Sequence, residues 1–79
     1  MSKTIARLDL PKQRATAPLS VLLMVAGDVH YSTHILNRET DDLMHGHYDL
    51  TFETGFKDFQ ERCAKYLAYD YSVYELAGA

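Results

Sequence analysis

The sequence is short of the residues that most familiar chemistries are built from. It contains no tryptophan and a single cysteine, Cys63, so no disulfide can close within the chain and no cysteine pair can seed a zinc site. A lone thiol suits a reducing compartment, and a cytoplasmic location is the expectation. There is no Gly-rich loop of the kind that cradles phosphates, and although Ser32 lies between His30 and His34 nothing marks a third member of a catalytic set, so the sequence predicts no catalytic residues and no cofactor. No stretch approaches the ~20 apolar residues of a membrane span. The basic lead before Leu19–Ala26, with Val25, Ala26 and Gly27 behind it, has the outline of a secretory signal. Asp9 and Pro11 interrupt that lead and the apolar run is at the short limit, which sets the signal reading aside.

Basic charge is scarce, and it is unevenly placed. Lys3, Arg7, Lys12 and Arg14 against Asp9 leave the first 14 residues at +3, whereas Arg38, Lys57, Arg62 and Lys65 against ten acids leave the rest at -6. So acidic a body repels phosphate backbones and suits basic protein surfaces, which argues for a protein partner rather than direct nucleic-acid contact. With 79 residues, no internal repeat and no low-complexity tract, the chain reads as one domain over residues 1–79.

What the sequence does contain is a clear succession of periods. Leu19–Ala26 is the only near-continuous apolar run and ends at the turn signal Gly27-Asp28, which marks a buried central strand. Before it, residues 4–10 alternate as a half-buried strand, and residues 11–18, bounded by Pro11 and Pro18, form a polar connector. After the turn, residues 29–36 alternate, with Val29, Tyr31, Thr33 and Ile35 on one face and His30, Ser32, His34 and Leu36 on a more polar face turned to water or a partner. Residues 47–53 alternate again, placing Tyr48, Leu50 and Phe52 opposite His47, Asp49, Thr51 and Glu53.

The period then changes from 2 to 3.6. Thr54 is the expected N-cap of a helix over 55–69 that buries Phe56, Phe59, Cys63, Tyr66 and Leu67, with Asp58 to Arg62 and Glu61 to Lys65 as ion pairs on its outer face. Consecutive aromatic and β-branched residues in 70–76 favour a short edge strand or extended tail. The fold class that results is α+β: a three- to four-stranded antiparallel sheet, centred on the hairpin 20–36, with one amphipathic helix on one face.

Three groups of residues could carry function. His45 and His47 project from one strand face if the alternation is unbroken, and with His30 and His34 they form an alternative metal-binding or metal-sensing set; polar-face histidines without metal are the favoured reading. Residues 22–30 also resemble the strand and Asp-x-His that open the metallophosphoesterase family, and His45-Gly46-His47 is faintly similar to its closing Gly-His-x-His. That resemblance implies a two-metal hydrolase, but the second metal-binding segment of the family is missing and the sheet is too small for it. Cys63, on the apolar helix face, reads as a small hydrophobe.

The remaining groups are the acidic loop Glu39, Asp41 and Asp42 and the tyrosines Tyr69, Tyr71 and Tyr74, which are expected to bind a partner. A single small domain with an acidic body, tyrosines to display and no catalytic set resembles, in size, charge and absence of motif, the inhibitor proteins of phages and mobile elements of the anti-CRISPR type. That likeness implies a protein-binding inhibitor or adaptor that sterically blocks a basic, nucleic-acid-binding surface. A regulatory or structural subunit of a larger complex is the other alternative.

Overall fold

Leu19–Ala26 does become the strand around which the rest assembles. In the computed structural model, which describes residues 2–10 and 17–78 and side chains as far as Leu67, the chain runs β1 (Ser2–Asp9), β2 (Leu19–Ala26), β3 (His30–Asn37), β4 (Asp42–Leu50) and α1 (Phe52–Gly78). The four strands form one antiparallel sheet in sequence order, with β2 and β3 at its centre, and α1 packs across one face. Residues 11–16, most of the expected connector, lie outside the described residues.

The alternation of β2 sorts its residues to two faces. Val21, Leu23 and Val25 pair with Ile35, Thr33 and Tyr31 of β3 and look toward the helix, whereas Leu22 and Met24 pair with His34 and Ser32 on the opposite face. Leu10, Val21 and Ile35 form a buried cluster against which Leu8, Leu19, Met44, Phe59, Cys63 and Tyr66 pack. Burying each of these larger side chains contributes about 1.5–3 kcal/mol, and with so small a core a few of them carry most of the stability. Gly55 lets α1 come close to the sheet: a Cβ there would lie 3.1 Å from Cβ of Tyr31 and 3.3 Å from Cδ1 of Leu23.

Turns and bulges set the register. Two successive left-handed residues, Gly27 (φ 60°) and Asp28 (φ 69°), reverse the chain between β2 and β3, as the Gly-Asp signal predicts. Val29 belongs to that turn and is exposed, not the first inward residue of a strand. In β4 the simple alternation fails. His45 (φ 51°) and Asp49 (φ 58°) are left-handed, and the pairing steps from Ile35↔Met44 to Thr33↔His47 to Tyr31↔Leu50, so three β4 residues twice span two of β3. Each extra residue is a bulge that flips the parity of the strand.

The helix also differs from expectation at both ends. It begins at Phe52, because Thr51 and not Thr54 is the N-cap: Oγ1 of Thr51 accepts from the Thr54 amide at 3.2 Å, and Oγ1 of Thr54 accepts from the Thr51 amide at 3.0 Å. This reciprocal pair is a capping box with threonine in both positions. At the other end α1 continues to Gly78, so 70–76 is helical and the edge strand expected there does not form. With β4 already at the sheet edge, local β-propensity yields to continuation of an existing helix, which adds one hydrogen bond per residue without a new nucleus.

A guanidinium fastens the end of the sheet where the connector leaves. Arg38, just past β3, donates from Nη1 to the Leu19 carbonyl (2.5 Å) and to Oγ of Ser20 (2.7 Å), and from Nη2 to the Leu10 carbonyl (2.7 Å). Ser20, fully buried, donates in turn to Oδ1 of Asp9 at 2.5 Å. The Asp9 carboxyl is held below the usual carboxylate range by that hydroxyl and by Arg7 beside it.

Candidate functional site

The acidic residues lie together on the tight connection between β3 and β4. Glu39, Asp41 and Asp42 are all exposed, and the turn that presents them is built from their polar neighbours. The Glu39 amide donates to Oδ1 of Asn37 at 2.9 Å, and the Asp41 amide donates to the Asn37 carbonyl at 2.7 Å. Asp41 adopts φ 63°, which aspartate tolerates better than most residues. The Asn37↔Asp42 pair then closes the turn, so the acidic side chains sit on a preformed backbone.

The helix runs toward this same end of the molecule. Gly55, near its start, meets Tyr31 and Leu50, while Phe59, Cys63 and Tyr66 meet the cluster of Leu10, Val21 and Ile35. Ile35 pairs with Met44, close to the β3–β4 turn. Beyond Tyr66 the helix goes on for twelve residues to Gly78. Its 27 residues span about 40 Å, against about 26 Å for an eight-residue strand such as β2. Tyr69, Tyr71 and Tyr74 belong to this continuation; their side chains lie outside the described residues.

The four histidines are not gathered into one set. His30 and His34 occupy the sheet face away from the helix, whereas the bulges of β4 turn His47 to the helix face and leave His45 exposed at a left-handed position. Among the described residues, no group of three or more His, Cys, Asp or Glu side chains is placed to hold a metal ion. His34, expected on a solvated face, is in fact buried, with its ring 5.2 Å from that of Tyr48 in an edge contact and Nε2 3.0 Å from Oγ of Ser32. Burial, and then the positive charge of Arg62, hold its pKa below the ordinary 6.5. Tyr48 in turn lies over Gly46, where a Cβ would come within 2.6 Å of the ring.

His47 is part of a polar network that joins sheet to helix. Oδ2 of Asp58 accepts from Oγ1 of Thr33, which is fully buried, and from Nδ1 of His47 at 2.8 Å; Nη2 of Arg62 donates to Nε2 of His47 at 2.7 Å. A guanidinium only donates, so Nε2 of His47 is the acceptor and its proton resides on Nδ1. Nε of Arg62 lies 3.6 Å from Oδ2 of Asp58. Burial would raise the Asp58 pKa, but the hydrogen bonds from Thr33 and His47, with the charge of Arg62, hold it below the usual range. With both ring nitrogens engaged, His47 in this arrangement ties elements together rather than offering a free base.

The pair Asp58 and Arg62 was expected on the outer face of the helix, and it is not there. Arg62 is only 9% exposed because it lies three residues after Phe59 and four before Tyr66, within the stripe that meets the sheet. Phe56 and Leu67, expected inside, are 41% and 46% exposed. The same helical spacing that suggested a stripe through Phe56 and Leu67 also fits one through Gly55, Phe59, Arg62 and Tyr66. Polarity alone concealed the second choice. Beside the network, His45, Gly46, His47, Asp58, Glu61, Arg62, Lys65 and Tyr66 line a cavity of about 520 Å³.

At the opposite end of the helix, Phe52 stacks on Phe56 with ring centroids 6.0 Å apart and meets the edge of Tyr31 at 5.4 Å. Cys63 packs against the core, and burial raises its thiol pKa, which disfavours the reactive thiolate. Among the described residues, no helix is long and apolar enough to cross a membrane. No protein-family model matches the chain, and no curated protein or solved structure matches it either.

Proposed function

We propose that the chain is a small acidic protein-binding inhibitor or adaptor that covers a basic, nucleic-acid-binding surface of a partner protein, as anti-CRISPR proteins do. The observation that carries this reading is the exposed, preformed turn bearing Glu39, Asp41 and Asp42, at the end of the sheet toward which α1 runs and continues. An acidic surface with little conformational freedom left to lose is suited to steering onto a basic patch, and the blockade is then steric. The net charge of -6 after residue 14 supports a protein partner over direct nucleic-acid contact. The lone Cys63 suits a cytoplasmic setting.

Co-purification from the native host with mass spectrometry identifies the partner, and surface plasmon resonance on the purified pair then tests the mechanism. Binding is expected to weaken as salt rises, since exposed charges are screened over about 8–10 Å near physiological ionic strength. Replacing Glu39, Asp41 and Asp42 together by lysine is expected mainly to slow association, and Tyr71→Ala or Tyr74→Ala mainly to speed dissociation. Binding indifferent to salt and to the triple replacement overturns the reading.

A further inference from the structure

Leu19–Ala26 is apolar on both faces of the sheet, and α1 covers only one of them. An alternating strand suits a sheet with one covered face, whereas a near-continuous apolar strand suits a sheet covered on both. On the face away from the helix, Leu22 and Met24 of β2 stand beside Leu36 of β3 and its pairing partner Leu43 of β4. Leu43 is 50% exposed, and with Met24, Ala26 and the projecting Tyr48 it lines a groove of about 280 Å³. The polar groups beneath this surface already have partners: Nε2 of His34 is bonded with Oγ of Ser32, and Ser20 with Asp9 and Arg38. Covering them therefore costs little in lost hydration.

We propose that this open sheet face binds a second copy of the chain, sheet against sheet, with the strands of the two copies running antiparallel. Charge favours that occupant. The body after residue 14 is strongly acidic, yet the open face is balanced: Arg7 is paired with Asp9, and Arg38 at one end is matched by Asp49 at the other. Two acidic chains can approach through such a face without like-charge repulsion, whereas a basic partner is drawn to the acidic turn instead. Reversing one copy against the other sets the two acidic turns at opposite ends of the pair. It also carries Leu43, near the β3–β4 turn, over the end of the other sheet where Ala26 and Asp49 border the groove, so that projection and hollow meet twice, as a two-fold interface requires. Four strands about 4.8 Å apart and about 26 Å long offer roughly 500 Å² a copy, or roughly 1,000 Å² for the pair, the lower bound of a specific interface. The acidic turn stays free in this pair.

The test is sedimentation equilibrium of the full chain from about 5 μM to about 500 μM, the range suited to an interface of this size, joined to NMR on a mixture of ¹³C-labelled and unlabelled chains. The mass is expected to rise from one chain toward two, with isotope-filtered contacts between Leu43 of one copy and Met24 or Ala26 of the other. Association should strengthen as salt screens the acidic bodies, opposite in sign to the binding of a basic partner. Leu43→Glu, at a half-exposed position, is expected to keep the fold and raise the dissociation constant more than about tenfold. Leu67→Glu, exposed on α1, should leave it unchanged. Should Leu43→Glu fail to fold, the filtered contacts in the native chain decide the matter alone. A mass of one chain throughout, intermolecular contacts confined to α1, or a dimer that survives Leu43→Glu overturns the proposal. So does a single-chain mass together with a host protein that binds the native chain and not Leu43→Glu, since the face would then belong to a different partner.

Discussion

Nη1 of Arg38 donates to Oγ of Ser20 across 2.7 Å although eighteen positions separate the two residues. One side chain thereby joins the end of β3 to the start of β2 and, through its bonds to the Leu19 and Leu10 carbonyls, to the end of β1. Arg38→Ala removes the donor from a fully buried hydroxyl and from carbonyls at the sheet end, and is expected to cost about 2–3 kcal/mol in urea denaturation. Arg38→Lys should recover less than half of that, because a point charge cannot reach three acceptors as a planar fork does. A change within about 0.5 kcal/mol for Arg38→Ala would show that water replaces the guanidinium freely.

Stability should depend on pH in two separate windows. His34 has a depressed folded pKa, so its contribution is complete above the unfolded value near 6.5 and is lost as pH falls through the folded pKa. Asp9 and Asp58 are also depressed, so their contributions hold above the unfolded value near 3.8 and disappear as pH falls below it. Thermal unfolding followed from pH 7.5 to 2.5 should therefore show a first decline beginning below about pH 6.5 and a second below about pH 4. His34→Gln should abolish the first while leaving the second, and a profile flat between pH 7 and 5 in the native chain would refute the burial argument.

Two glycines separate close packing from loose packing. Gly55→Ala gains up to about 1 kcal/mol of helix propensity, yet its methyl meets Cβ of Tyr31 at 3.1 Å, an atom tied to the sheet backbone. A net loss of about 1–2 kcal/mol is expected, measured as a lowered denaturation midpoint. At Gly46 the obstacle is the ring of Tyr48, the far end of a side chain that is 65% exposed and free to swing out. Gly46→Ala should cost less than about 1 kcal/mol, and its signature should be loss of the ring-current shift that Tyr48 imposes on His34. Equal costs at the two sites would contradict the contrast.

The start of α1 rests on two threonines that cap each other. Thr51→Ala should cost about 1 kcal/mol, within the range measured for lost N-caps, and Thr51→Ser should restore most of it. Amide exchange would then quicken across Phe52 to Gly55 first, while β2 and β3 amides keep the protection of the global opening. Uniform acceleration over the whole chain would place the cap in the cooperative core instead.

The sequence by itself determined the secondary structure of its periodic segments and the class of the fold. Apolar runs, alternation and the Gly27-Asp28 turn are local signals: a strand or turn is specified by residues within a few positions of one another, so β2, the β2–β3 hairpin, β1 and the body of α1 could be read directly. The acidic turn was legible for the same reason.

Tertiary structure alone decided which way β4 and α1 face. The bulge at His45 flips the parity of β4 and the one at Asp49 flips it back, so that Met44, His47 and Leu50, each three positions apart, all face the helix, a spacing that no simple alternation predicts. Rotation of α1 was likewise open, since stripes through Phe56 and Leu67 or through Gly55 and Arg62 are both compatible with 3.6 residues per turn. The close approach at Gly55 and the acceptors supplied by His47 and Asp58 selected the second. Within the network of Thr33, His47, Asp58 and Arg62, the i,i+4 pair of Asp58 and Arg62 was legible, but its links to the sheet were not, because hydrogen-bond partners 11 to 25 positions apart leave no periodic trace, and a polar residue on an apolar stripe is recognised only when its partner stands opposite it.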